Sequence, residues 1–116
     1  MLPKLVRDGI PKRIVQDGKI PLCTFVDNIN VEPYIFNKIR EEVAELHYEC
    51  TGPELNRDKI VEEFADVFEI LFKLMELYDI EEGEIRKAML KKAVTHGCFN
   101  DNIILKDIIL KGEETK

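Results

Sequence analysis

The chain has 116 residues, of which 45% are hydrophobic, and a net charge of −6 at pH 7. This length and apolar content predict one domain over residues 1–110, followed by a polar tail at residues 111–116. The acidic balance argues against a nucleic-acid partner, and no apolar run approaches the roughly 20 residues that span a membrane.

The three cysteines favour a reducing compartment. Cys23, Cys50 and Cys98 are an odd number without paired spacing, and the charged start MLPKLVRDGIPKR is unlike a signal peptide. We therefore expect reduced thiols, buried or half-buried, in a cytoplasmic protein.

The first third of the chain has one short predicted helix and one extended segment. After an irregular start, a helix is expected from Pro11, because proline is favoured at the first helical position. Residues 20–30, IPLCTFVDNIN, have the β-branched and aromatic content of a short strand or an extended loop.

A long helix is predicted next from apolar residues at three- and four-residue steps between Ile35 and Cys50. Asn30 is the expected N-cap, Pro33 lies in the first turn, and Gly52-Pro53 ends the helix.

Two more helices and an extended arm complete the predicted all-α fold. The first of the two runs from Arg57 to Tyr78 with Asn56 as its cap. The other runs from Ile80 to Thr95, with Asp79 as its cap and Gly97 at its exit. Residues 99–110, FNDNIILKDIIL, are expected to be extended, as a hairpin or an arm.

The helix from Arg57 to Tyr78 is apolar on most of its sides. A helix of that kind is buried on most sides, and a chain this short cannot cover it alone. We therefore expect part of its surface to contact a second subunit.

Two adjacent helices carry the same acidic pattern. REEVAEL, residues 40–46, contains Glu42-x-x-Glu45, and VEEFADVFE, residues 61–69, contains Glu63-x-x-Asp66. Three residues advance a helix by about 300°, so each pair lies on one face. If the two helices pack antiparallel, the four carboxylates converge and repel one another unless a cation lies among them. Oxygen ligands of this kind select Mg2+ or Mn2+.

The alternative is that these glutamates form a solvated helix face, since glutamate favours helices. Two observations favour the metal site. The second helix is so apolar that a polar cluster within it needs a reason, and Lys73 is the only cation between Ile60 and Tyr78.

The EExxE and EExxD helices resemble the all-α nucleoside triphosphate pyrophosphohydrolases, the MazG-like and phosphoribosyl-ATP pyrophosphohydrolase-like superfamily. Two stretches are similar to a small single-domain branch of it: KLVRDGIP, residues 4–11, resembles that branch's KLVRDKIP, and HGCF, residues 96–99, resembles its RGGF. The chain departs from the branch at Gly9, His96 and Cys98, where lysine, arginine and glycine are usual. Metal binding therefore carries over more safely than substrate preference.

The resemblance implies a helical bundle that cleaves a nucleoside triphosphate between its α and β phosphates, giving a monophosphate and pyrophosphate. It further implies a Mg2+ ion, or Mn2+ in its place, held by the four carboxylates, and assembly as a homodimer or a dimer of dimers. Removal of non-standard nucleotides is one role that such chemistry serves.

Further site residues are expected around the cluster. Glu41 is the candidate to orient the attacking water or take its proton. Lys4, Arg7 and Lys38 are candidates to contact phosphate oxygens. For Lys38 the favoured alternative is an ion pair with Glu41 or Glu42 at helical spacing, and for Arg7 the alternative is a local pair with Asp8.

Two other functions stay open. Phosphoribosyl-ATP hydrolysis uses the same kind of metal cluster. A non-catalytic protein, in which the apolar helix is a dimerisation surface and the carboxylates only solvate it, would show neither metal-dependent stabilisation nor pyrophosphate release.

Overall fold

The computed structural model describes residues 3–113, which contain four helices and no β-strand. These are α1 (Ile10–Gln16), α2 (Glu32–Thr51), α3 (Arg57–Leu77) and α4 (Glu82–His96). The predicted all-α fold is confirmed. Residues 20–30 form a loop, which is the second of the two predicted alternatives, and residues 103–110 run outside any helix without pairing as a hairpin. Part of the predicted tail, residues 114–116, lies outside the described residues.

The backbone divides into two compact units, Met1–Glu81 and Glu82–Lys116. The first unit contains α1, α2 and α3, and the second contains α4 and the segment that follows it. The single domain expected over residues 1–110 stays a prediction. All residues of the acidic pattern belong to the first unit.

Within the first unit, α2 and α3 lie side by side in opposite directions. Val31 and Ile35, at the start of α2, form a small buried cluster with Ile70 near the end of α3, and Ile35 is fully buried. At the same end, the hydroxyl of Tyr78 donates to the carboxylate of Glu32. Partly buried side chains pack against this cluster: Leu5, Ile39, Leu74 and Leu77. The core therefore fixes how α2 and α3 align, and it places Leu5 of the N-terminal segment beside them.

The predicted ends of α2 are partly wrong. Its N-cap position is Val31, which makes no side-chain cap, instead of Asn30. The side chain of Asn30 donates to Asp27 Oδ1 at 2.9 Å, and its backbone N–H donates to the same oxygen at 3.0 Å. Asn30 is therefore engaged in the turn that precedes the helix. As predicted, Pro33 lies in the first turn and the helix ends at Gly52.

The boundary between α3 and α4 shows why the start of α4 was predicted too early. Asn56 caps α3 as expected, accepting from the backbone N–H of Lys59 at 3.2 Å. Asp79 does not cap α4: it has φ +53° and follows the last turn of α3. The N–H of Ile80 donates to the carbonyl of Met75 at 2.9 Å, which is the closing bond of a Schellman motif. Asp79 takes the left-handed position that glycine usually fills, and α4 begins only at Glu82.

The surroundings of the three cysteines differ from those expected. Cys23, Cys50 and Cys98 are free and exposed, so the expected burial of the thiols is wrong: they lie in a loop, on the outer side of α2 and after α4. Within residues 3–113, none of the helices has the length and apolar character needed to cross a bilayer.

Candidate metal centre

Four carboxylates converge where α2 and α3 pack together. Glu42 and Glu45 come from α2, Glu63 and Asp66 come from α3, and one oxygen of each lies within 4.8 Å of the others. The antiparallel packing of the two helices brings together the two pairs, each already on one face because its members are three residues apart. The structure thus gathers the four residues that the spacing singled out.

Glu42 sets this cluster apart from a solvated face because it is buried, whereas Glu63 and Asp66 are half-buried and Glu45 is exposed. Glu42 is only 6% exposed, and its Oε1 accepts from Lys38 Nζ at 3.1 Å. Among the described residues, Oε2 of Glu42 has no hydrogen-bond partner, and neither does the buried Oε2 of Glu63. Buried polar atoms nearly always have a partner, and leaving a charged one without any costs free energy of folding. A cation or a proton would satisfy these two oxygens, and none of residues 3–113 donates a hydrogen bond to them.

The electrostatics of the cluster favour the same conclusion. Burial raises the pKa of Glu42, and the neighbouring charges of Glu45 and Asp66 add to this against the opposing hydrogen bond from Lys38. Burial also raises the pKa of Glu63, reinforced by the charges of Asp66 and Glu42. Glu42 and Glu63 are thus harder to ionise because they are desolvated beside other negative charges. A proton and a divalent cation compete for this cluster.

The arrangement fits a hard divalent ion. Mg2+ holds oxygens at about 2.0–2.1 Å, so opposite ligands are about 4.2 Å apart. From a widest separation of 4.8 Å, the carboxylates need to close by only about 0.6 Å. The donor set is entirely carboxylate oxygen, which suits Mg2+ or Mn2+ and not a soft metal. Glu42, Glu45, Glu63 and Asp66 are therefore the residues that can hold such an ion.

Glu41, the candidate for handling water, lies at the edge of the cluster and not in it. Its Oε1 is 3.3 Å from both Lys4 Nζ and Lys38 Nζ. Burial acts to raise the pKa of Glu41, but the hydrogen bonds from Lys4 and Lys38 outweigh it and lower the pKa overall. Glu41 is thus kept as an ionised carboxylate. A carboxylate with a lowered pKa is a weak base, so Glu41 suits orienting a water better than taking a proton from that water.

The three cations predicted to contact phosphate all bind these acidic residues. Lys38 bridges Glu41 and Glu42, which is the helical pairing expected as its alternative role. Burial lowers the pKa of Lys38, yet its hydrogen bonds to Glu42 and Glu41 raise it overall. Lys4 contacts Glu41, as described above. Their contact with phosphate stays a prediction.

Arg7 reaches further than the sequence indicated. Its guanidinium donates to Asp66, one of the four clustered carboxylates, and to Glu69 Oε2 at 2.6 Å. The alternative pairing with Asp8 is therefore wrong, because the N-terminal segment lies against α3. The role of Glu69 was missed, although its position three residues after Asp66 places both on one side of the helix.

An open pocket of about 410 Å³ adjoins the cluster. Two of its walls, Glu45 and Glu63, belong to the four clustered carboxylates, and Glu41 also lines it. The remaining lining residues are Ala44, the aromatic Tyr48 and the acidic Glu49. The sequence left Tyr48 unranked among several aromatic and amide side chains, and its spacing of three from Glu45 is the signal that places it here.

Comparison with family models, curated proteins and solved structures found no match to this chain. The resemblance set out above rests on the residue patterns alone, of which the paired carboxylates of α2 and α3 are the part that the geometry brings together.

Proposed function

We propose that this protein is a Mg2+-dependent nucleoside triphosphate pyrophosphohydrolase that cleaves between the α and β phosphates. The observation that carries the proposal is the convergence of four carboxylates, with a buried oxygen on Glu42 that has no hydrogen-bond partner within residues 3–113. A divalent cation would stabilise a site of this composition and would lie beside an open pocket. Polyphosphates are the substrates that such a cation recruits to an otherwise acidic protein.

The positions of the residues suggest two roles, which are binding the ion and orienting the attacking water. Glu42, Glu45, Glu63 and Asp66 would hold the ion, which supplies charge neutralisation and a more acidic water when bound. Glu41, kept ionised by two lysines, orients the water toward the phosphorus. Water adds across the α–β anhydride, the bridging bond breaks, and the products are a nucleoside monophosphate and pyrophosphate.

The pocket gives the nucleoside a place beside the phosphates. Tyr48 is 75% exposed on its wall, where an aromatic ring can stack on a base. Because every base has an aromatic face, stacking alone does not choose among bases. A role in removing non-standard nucleotides is compatible with such a contact.

The proposal is tested by a hydrolysis screen with Mg2+ over standard and modified nucleoside triphosphates, with phosphoribosyl-ATP included. We expect pyrophosphate and a monophosphate from at least one triphosphate, and no release in EDTA. Turnover of phosphoribosyl-ATP alone would assign the site to that substrate. Orthophosphate and a diphosphate would point to γ cleavage, and absence of any Mg2+-dependent product would overturn the proposal.

A second candidate is a non-catalytic helical protein that assembles through α3. Phe64, Phe68 and Phe72 lie one turn apart, with ring centroids 6.4 Å apart at each step and edge-to-face geometry. All three rings are about half exposed in the chain. An aromatic stripe of this kind is typical of a protein interface. The same stripe would serve the predicted homodimer or dimer of dimers of the enzyme.

Light scattering at micromolar concentration should therefore give at least twice the 13.5 kDa monomer mass. Phe68→Glu is expected to halve that mass, because it places a charge in the middle of the stripe without disturbing the core. Phe25→Glu is the matched control, since Phe25 is fully exposed in the loop of residues 20–30. A monomeric wild type, or an unchanged mass for Phe68→Glu, would contradict assembly through this stripe.

A further inference from the structure

We propose that Arg7 is an exchangeable counter-ion of the metal centre: it neutralises Asp66 and Glu69 in the metal-free protein, yields Asp66 to the divalent ion, and is then free for the anionic ligand that the ion recruits. This inference rests on the proposed metal site. It concerns Arg7 in the N-terminal segment. The sequence predicted that Arg7 contacts phosphate, and in the structure Arg7 donates to Asp66, one of the four clustered carboxylates.

The contact is built to reach two carboxylates at once. Nη2 of Arg7 donates to Asp66 Oδ1, and Nη1 donates to Glu69 Oε2 at 2.6 Å. The two acids are three residues apart on α3, so the planar fork of one guanidinium spans both. Leu5, two residues earlier, packs against the core of α2 and α3 and holds this segment in place.

The same contact can be broken. The side chain of Arg7 is 52% exposed, and exposed ion pairs contribute little to stability. By contrast, Glu42 is buried with an oxygen to which no described residue donates a hydrogen bond, so part of the cluster's negative charge is left that Arg7 does not neutralise. A divalent ion neutralises it, and Arg7 is the cation that can move away.

Arg7 and the ion act against each other at Asp66. Both need the lone pairs of the same carboxylate, and a guanidinium repels a divalent cation beside it. Wild-type protein therefore binds the ion more weakly than a protein without this arginine. Since the pair is exposed and screened by salt, the difference should be about threefold to tenfold.

The released guanidinium suits the next ligand. Arginine binds phosphate in the same forked geometry as carboxylate. An anion recruited to the ion therefore replaces Asp66 as a partner for Arg7. The exchange leads to opposite effects for one substitution: loss of Arg7 strengthens binding of the ion and weakens binding of the phosphate that follows.

The experiment measures Mn2+ affinity from the paramagnetic resonance signal of the free ion, with wild type and Arg7→Gln. We expect Arg7→Gln to bind Mn2+ about threefold to tenfold more tightly. Its metal-free melting temperature should fall by about 2–4 °C because the clustered carboxylates lose a counter-ion, and saturating Mn2+ should close that gap. Arg7→Lys, which keeps the charge without the fork, should lie between the two.

Arg13→Gln is the matched control, because Arg13 lies nearby in α1 and forms no ion pair within residues 3–113. It should change neither Mn2+ affinity nor melting temperature. Pyrophosphate titrated at saturating Mn2+ should bind Arg7→Gln more weakly than wild type.

The outcomes separate this inference from the proposed function. If neither wild type nor Arg7→Gln binds Mn2+, the metal centre itself is wrong and the inference falls with it. If both bind and Arg7→Gln binds equally or more weakly, the metal centre stands and the counter-ion role is overturned. Equal or tighter pyrophosphate binding by Arg7→Gln would overturn the transfer of Arg7 to phosphate.

Discussion

Asp66→Asn is expected to lower kcat/KM for triphosphate hydrolysis by about a hundredfold or more while leaving α3 intact. Asparagine keeps the shape of the side chain but removes a charge and an anionic ligand from the cluster. The metal-free variant should melt at or above the wild-type temperature, because the loss of one repelling carboxylate outweighs the loss of its exposed ion pair with Arg7. Pyrophosphate release measures the activity, and circular dichroism with a thermal melt checks the fold.

Asp58→Asn is the matched control for this variant. It makes the same chemical change on the same helix, about 12 Å along the helix axis from Asp66. We expect it to retain wild-type turnover. Wild-type turnover by a folded Asp66→Asn would mean that the carboxylates of α3 are scaffold. An unfolded Asp66→Asn would contradict the expectation that the metal-free variant is at least as stable as the wild type.

Mg2+ or Mn2+ is expected to stabilise the wild-type protein by roughly 1–3 kcal/mol at concentrations well above the dissociation constant, and EDTA should reverse the effect. The physical reason is that the ion binds the folded cluster, whereas the unfolded chain holds its carboxylates apart. Thermal melts with and without metal measure this directly. A wild-type melt that metal leaves unchanged would show that the four carboxylates do not form an ion site.

Glu42→Gln separates ion binding from general salt effects. It removes the buried charge whose Oε2 has no partner among the described residues, while the amide oxygen can still accept from Lys38, which also keeps its ion pair with Glu41; the metal-free variant should therefore melt higher than wild type. Its response to Mg2+ should be largely lost. Glu49→Gln, which changes a residue of the adjoining pocket outside the cluster, should keep the full response.

The sequence was most informative about the long helices, because their apolar spacing repeats over four or more turns. It was least informative about helix ends, where single hydrogen bonds compete. Asn30 is a good N-cap residue, yet Asp27 binds it in the preceding turn. Asp79 has the capping side chain expected before α4, yet the closing turn of α3 holds its backbone in the left-handed region. Neither of these competing sets of hydrogen bonds can be recognised from the spacing of apolar residues along the chain.

In the candidate site, too, contacts set by spacing within a helix were predictable, whereas contacts between distant parts of the chain were not. The pairs at three-residue spacing predicted which carboxylates share a face, and the short connection at residues 52–56 made antiparallel packing the natural expectation. Lys38 was also within reach of sequence reasoning, since its partners are three and four residues away. The contact from Arg7 to α3 could not be predicted from the sequence, because it joins residues about half the chain apart and depends on where Leu5 packs.

The proposed metal site at Glu42, whose Oε2 has no hydrogen-bond partner in the described part of the chain, would also link the abundance of this protein to the metal supply of its cell. A stability difference of about 1–3 kcal/mol between loaded and metal-free forms changes the unfolded fraction roughly 5- to 150-fold. Cellular proteases act on the unfolded fraction. If the proposed function is right, a shortage of divalent ions would thus shorten the protein's lifetime. Both the steady-state amount of the protein and its catalytic rate would then depend on ion availability.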